Sequence, residues 1–278
     1  MPRFCIKTME TRVVLISYTS NLERVCASAM RSCYFQHSMS DLCLRKDLLS
    51  DSDVERMLEK ALQLGHHDIM EHGSLTYSLE NVSRVLTHQL VRHRLASFSQ
   101  QSQRYVRIGE SEWYVKPPSI KDEKVQVEVN NAKIELGYDE FMALSERMYK
   151  TYSEKGFHKE DARFMVPSAC KTNITITSNP REFRHIFSQR CDSAAQWEIR
   201  DVCWAMLASA KLIAPNIFKT LDFPASKDQY ALERCSKLDE LISDYKLAFD
   251  GAKKGTLLEI DLSKLDLSHK VLTYILKG

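Results

Sequence analysis

The stretch that most constrains this chain is residues 89–105, QLVRHRLASFSQQSQRY. Its seventeen residues hold three arginines (Arg92, Arg94, Arg104), one histidine (His93), three serines, four glutamines and no acid. The whole 278-residue chain has a net charge of only +2, so this cationic run is a local device and not a general bias. Arginine offers planar, permanently charged donors that suit phosphate and carbonyl-rich rings. Serine and glutamine add neutral donors and acceptors. A solvated basic loop behind a helix would have the same composition, but the ordered spacing favours a ligand site.

Upstream, Thr11–Tyr18 is β-branched and reads as a strand. Ser20 with Glu23, and Ser52 with Glu55, have capping-box spacing and predict helix starts. Leu75, Tyr77 and Leu79 alternate with polar residues, as in a half-buried strand. Residues 81–94 read as a helix carrying Arg92 to Arg94 near its C-terminal end, where cations complement the dipole. Residues 95–105 read as a ligand-wrapping loop, and 108–129 as a surface excursion. A long amphipathic helix is expected over 138–155 and a strand over 173–178. Asn179-Pro180-Arg181-Glu182 is a strong helix start, with helical period again over 194–213 and 231–249. Residues 257–267 alternate in leucine. These elements predict one α+β domain with a central, mostly antiparallel sheet flanked by long helices.

With 44% hydrophobic and 27% charged residues the chain is an ordinary globular protein. The near-neutral balance argues against a dedicated nucleic-acid binder. No stretch reads as a signal peptide or membrane span. The eight cysteines are scattered without a CxxC pair, the pattern of reduced thiols in a cytoplasmic protein. His66, His67 and His72 invite a metal reading, but they lack a helical i, i+4 pair and a companion cluster, so no metal site is assigned.

Arg92-His93-Arg94, seven residues, Ser102 and then Arg104-Tyr105 resembles the signature of the flavin-dependent thymidylate synthases. Three further blocks agree in order: GHHDIMEH at 65–72, ARFMVP at 162–167 and NPREFRHIFSQRCDSAAQWEIR at 179–200. The likeness runs from about residue 11 to about 220. It implies a catalytic domain over 1–224 and a C-terminal extension over 225–278 packed on it.

The resemblance implies roles position by position. Glu71, Arg92, His93, Arg94, Gln100, Asn179, Arg181 and His185 match flavin-binding positions. Gln89, Arg92, Gln100, Ser102, Gln103, Arg104, Arg163 and Arg190 match positions that hold deoxyuridylate (dUMP), and Arg190 matches the arginine that polarises the uracil ring. Departures stand at Asp68, Ser99, Gln100, His185 and Ala194. Several of these residues have plainer readings: Asn179 as an N-cap, Glu71 as a strand cap, Arg163 paired with Glu160 or Asp161, and Glu198 in a salt bridge.

The implied reaction is reductive methylation of dUMP to thymidylate (dTMP). Its carbon comes from methylenetetrahydrofolate and its hydride from FAD recharged by NADPH. No GxGxxG is present, so the flavin site is expected to be non-Rossmann. Thymidylate synthases without flavin attack the ring with a cysteine. Here none lies in the signature, and no cysteine nucleophile is expected. The resemblance also implies a homotetramer with shared active sites, and neither nucleic acid nor membrane as partner. Two rivals remain: a nucleic-acid-binding module built on Arg92, Arg94 and Arg104, and a metal hydrolase built on the three histidines.

Overall fold

The computed structural model describes residues 10–106, 112–221 and 229–278. β1 (Thr11–Tyr18) opens a six-stranded sheet. α1 (Leu22–Ser32) follows, but the Ser20–Glu23 box does not form. Asn21 takes the N-cap in a left-handed conformation (φ 51°) with no side-chain cap. Glu23 instead accepts from the backbone N–H groups of Asn216 (2.6 Å) and Ile217 (3.3 Å). A long-range partner has outbid the local one. After α2 (Met39–Leu44), α3 (Asp51–Leu64) is capped by Ser50 and Asp53, two residues ahead of the predicted pair. Gly65 ends it at φ 74°, a left-handed C-cap that disfavours any side chain.

β2 (Leu75–Ser83) runs further than expected and turns directly into α4 (Arg84–Leu90). Of the predicted helix over 81–94, residues 81–83 are therefore strand and only Arg84–Leu90 is helix. The cause is Ser83, whose hydroxyl accepts from the Leu86 N–H while the Glu198 carboxylate accepts the Ser83 N–H at 2.7 Å and its hydroxyl proton. Nor is 95–105 all loop, because β3 (Ser97–Gln100) adds an edge strand. Within the predicted excursion, β4 (Lys124–Val129) pairs with β5 (Ala132–Gly137). Asn130 and Asn131, both at positive φ, make its two-residue turn.

α5 (Tyr138–Glu154), the one-turn α6 (Lys159–Ala162), β6 (Lys171–Ser178) and α7 (Pro180–Arg190) follow. α8 (Trp197–Ile213) starts later than its apolar period, because the Gln196 side chain accepts from the N–H groups of Glu198 and Ile199. The chain ends with α9 (Gln229–Gly251), β7 (Leu257–Ile260) and β8 (Val271–Leu276). The leucine alternation over 257–267 is strand only as far as Ile260. The predicted 224/225 boundary lies outside the described residues.

The sheet order is β3-β6-β2-β1-β8-β7. Every pairing is antiparallel except β1 with β8, which is parallel. The sheet is thus mostly antiparallel, in a mixed α+β fold. α8 is the hub of the core, and fourteen of its seventeen residues are buried, including Trp204 and Met206. A helix apolar on nearly every side must be covered on nearly every side. It is held to the sheet where Tyr77 donates to the Met206 carbonyl at 3.0 Å. Among the described residues, no helix is long and apolar enough to cross a membrane.

Candidate functional site

The end of α4, the turn after it and α7 converge. His93 is buried, whereas Arg92 and Arg94 on either side of it are exposed. Neither of these arginines enters an ion pair among the described residues. The turn closes because the N–H groups of Arg92 and His93 donate back to Gln89 (3.3 Å) and Leu90 (3.1 Å). Alternation of charged and buried positions in a tight turn therefore aims two cations outward around one inward imidazole.

Arg190, the last residue of α7, donates from Nε to His93 Nε2 at 3.1 Å. An imidazole nitrogen that accepts carries no proton, so His93 is the neutral Nδ1–H tautomer. Its environment agrees: burial first, then the charges of Arg190 and His185, push its pKa down to about 4. Nδ1 lies 3.7 Å from Glu182 Oε1. Glu182 is itself buried, and desolvation raises its pKa. Arg190 Nη2 also approaches the Gln89 carbonyl at 3.5 Å.

A cavity of about 750 Å³ opens beside this cluster, lined by Glu71, Asn179, Arg181 and His185, together with His67, Leu95, Glu182, Arg184 and Ser188. Arg181 pairs with Glu71 at 2.5 Å, with both side chains about half exposed. Glu71 is thus an ion-pair partner and not a strand cap. Asn179 is the N-cap, its Oδ1 accepting from the Glu182 N–H at 2.9 Å. The cap uses only the oxygen and leaves the amide N–H groups for a ligand. The His185 ring sits 5.8 Å from that of His93. Glu182 and Ser188 were not foreseen, although they share the α7 spacing of Arg181 and His185 and the helical period would have found them.

The remaining predicted residues gather elsewhere and do not line that cavity. Gln100 donates to Thr87 Oγ1 at 3.0 Å, and Gln103 to Cys170 Sγ at 3.0 Å. The Arg104 N–H donates to Ser102 Oγ at 3.2 Å. Arg104 pairs with Glu160 at 3.1 Å, while Arg163 donates from Nε to the Glu160 backbone carbonyl at 3.1 Å. Glu160 therefore engages both arginines, one through its side chain and one through its main chain. Glu198 makes no salt bridge among the described residues; its carboxylate is spent on Ser83. His66, His67 and His72 belong to no metal-holding group, and none occurs among the described residues.

The profile of the thymidylate synthase complementing protein family matches residues 14–216. The flavin-dependent thymidylate synthase of Clostridium tetani is 40% identical over 223 residues, covering 77% of this chain and 87% of that one. That of Pyrococcus furiosus is 42% identical over 200 residues, covering 70% and 77%. The chain belongs to the flavin-dependent thymidylate synthase family. A solved UMP/dUMP methylase, PolB from Streptomyces cacaoi bound with 5-Br dUMP, shares the fold. It superposes at a TM-score of 0.60 with 20% identity, over 76% of this chain and 94% of that one.

The residues present fit the family's flavin. A cavity of this size lies within the range of small-molecule sites, about 300–1,000 Å³. The unpaired guanidinium groups of Arg92 and Arg94 fit a diphosphate, and Asn179, Arg181 and His185 offer neutral and charged donors along the wall.

Proposed function

We propose that the protein reductively methylates dUMP to dTMP, taking carbon from methylenetetrahydrofolate and reducing power from FAD and NADPH. The observation that carries this reading is the Arg190–His93 contact, which adjoins the cavity residues Glu182 and His185, in a chain of this family. FAD, when bound, supplies the hydride that completes the methyl group. Glu71, Arg92, His93, Arg94, Gln100, Asn179, Arg181 and His185 hold it. Gln89, Arg92, Gln100, Ser102, Gln103, Arg104, Arg163 and Arg190 hold the nucleotide, with Ser102 and Arg104 on its phosphate.

Arg190 is the catalytic residue in this reading. Its Nε–H is committed to His93, which fixes the plane of the guanidinium and leaves other N–H groups for the uracil ring. The ring becomes electron-rich as its N3 proton is shared or lost, and a fixed guanidinium stabilises the charge that develops. Neutral His93 suits this task, because an imidazolium would repel Arg190.

The flavin residues and the phosphate residues form separate groups in one chain, which supports a homotetramer whose active sites draw on more than one subunit. Mixing inactive Arg92→Ala and Arg104→Ala subunits should restore activity in hybrids. The seven described cysteines are all free, which supports a reducing, cytoplasmic setting.

The test is the absorption spectrum of the purified protein before and after NADPH with dUMP, followed by assay of dTMP once methylenetetrahydrofolate is added. A flavin band that bleaches, and dTMP that appears, are expected. A colourless protein that takes up no FAD would overturn the reading.

A further inference from the structure

Arg84 opens α4 and belongs to none of the groups above. Its guanidinium has no carboxylate partner among the described residues, and its Nε is buried without a hydrogen-bond partner. Nη2 donates to the Gln101 carbonyl at 3.0 Å, and the guanidinium also reaches the Cys170 thiol. Its backbone N–H donates to the Cys170 carbonyl at 3.1 Å, which ties the start of α4 to the start of β6.

The run 100–104 is anchored on this platform at successive residues. Gln100 bonds Thr87, one turn along α4 from Arg84. The Gln101 N–H donates to the Asn173 carbonyl at 2.9 Å while its own carbonyl accepts from Arg84. Gln103 donates to the thiol that Arg84 also touches. Ser102 and Arg104 take no part in these anchors. A partly buried cation with no counter-charge is unfavourable alone, and a dianion above it restores the balance.

We infer that Arg84 is a positioning residue for nucleotide binding, pinning the run 100–104 from beneath through the Gln101 carbonyl and placing an uncompensated positive charge under the phosphate. This rests on the reading of that run as the nucleotide site. Arg84 touches no reacting atom, so its loss falls on affinity and not on the chemical step.

The experiment measures dUMP binding by calorimetry and the steady-state constants of the FAD-loaded enzyme, for wild type, Arg84→Ala and Arg84→Lys. Arg84→Ala should raise the KM and Kd for dUMP at least about tenfold while kcat at saturation and flavin content hold, as expected where a charge-assisted bond is lost. Arg84→Lys, which keeps the charge and loses the fork, should fall between the two. If Arg84→Ala does not fold, Arg84→Lys decides alone. A KM for Arg84→Lys equal to wild type overturns the inference, as does a fall in kcat and flavin content with KM unmoved. A wild type that binds no dUMP sinks the parent reading. A wild type that binds dUMP no more tightly than Arg84→Lys sinks only the role of Arg84.

Discussion

Arg190 donates through Nε to the unprotonated Nε2 of His93 at 3.1 Å, so the guanidinium keeps its place only while that imidazole is neutral. Burial first, then the neighbouring Arg190 and His185, hold the His93 pKa near 4, against about 6.5 for an unperturbed histidine. Between these values the unfolded chain takes up a proton that the folded one refuses. This contribution to stability is therefore complete above about pH 6.5 and falls away as pH drops towards about 4. His93→Gln keeps an acceptor and does not titrate. Its melting temperature should decline less than that of wild type over this window. An equal decline in both would rule out His93 as the titrating group. His93→Ala should lower kcat about a hundredfold by freeing Arg190.

The Arg181–Glu71 pair is half exposed on both sides, which makes it a poor source of stability, about 0–1 kcal/mol. Its position on the cavity wall gives it another use. Arg181→Ala should leave the melting temperature of the flavin-free protein almost unchanged and reduce FAD affinity more than about tenfold, the loss expected for a charge-assisted bond to an anion. Flavin absorbance per chain after dialysis reads the affinity. Full flavin retention in the variant would remove Arg181 from the cofactor site.

Most of the architecture could be read from local pattern, and the misreadings share one cause. Asn179 and Pro180 fix a helix start by chemistry confined to four residues, and the helix begins there. Ser20 and Glu23 carry the same kind of signal, but Glu23 is taken by Asn216, far along the chain. Ser83 looks like an interior helix residue until Glu198 captures its N–H and hydroxyl and ends the strand there. β8 lies beyond the segments read from local pattern, and it is a strand beside β1, a partner about 260 residues earlier in sequence. In the site, the resemblance names His93 and Arg190 on separate blocks. It did not show that Arg190 meets His93, because that contact joins the ends of two helices nearly a hundred residues apart in sequence.

Glu160 occupies Arg104 where a phosphate is expected to bind. The pair is exposed, so its intrinsic strength is small, but a ligand must displace it and then sit beside the carboxylate. Glu160→Gln keeps the backbone carbonyl that accepts from Arg163. The variant should bind dUMP several-fold more tightly, with the gain shrinking as salt rises and screens the charge. Titration of dUMP at two ionic strengths measures both effects. Weaker binding by the variant would mean that Glu160 orients Arg104 and does not compete for it.

A thiol must ionise to act as a nucleophile. Cys191, the cysteine beside Arg190, is fully buried, and desolvation raises its pKa well above the ordinary thiol range. Cys33 is exposed and lies outside the cavity lining. The double variant Cys33→Ala/Cys191→Ala should still form dTMP. A variant that folds, binds flavin and forms none would restore a cysteine nucleophile to the mechanism.

Glu198 is 1% exposed, and its carboxylate is spent on one residue, accepting from both the N–H and the hydroxyl of Ser83. Ser83 in turn caps α4, the helix that ends in the turn holding Arg92 to Arg94. Burial raises the Glu198 pKa against the two bonds that lower it, so the carboxylate is retained at a cost in desolvation. Removing it leaves the Ser83 N–H buried and unpaired. Glu198→Ala should therefore cost about 2–3 kcal/mol, more than the surface pairs, because a bond to a charged acceptor is lost and a donor is orphaned. Ser83→Ala removes the hydroxyl half of the same interaction. The double variant should be less destabilised than the sum of the two single variants by about 1 kcal/mol, the coupling expected of residues in direct contact. Chemical denaturation of all four proteins measures this. Strict additivity would show that Glu198 acts on α4 by some route other than Ser83.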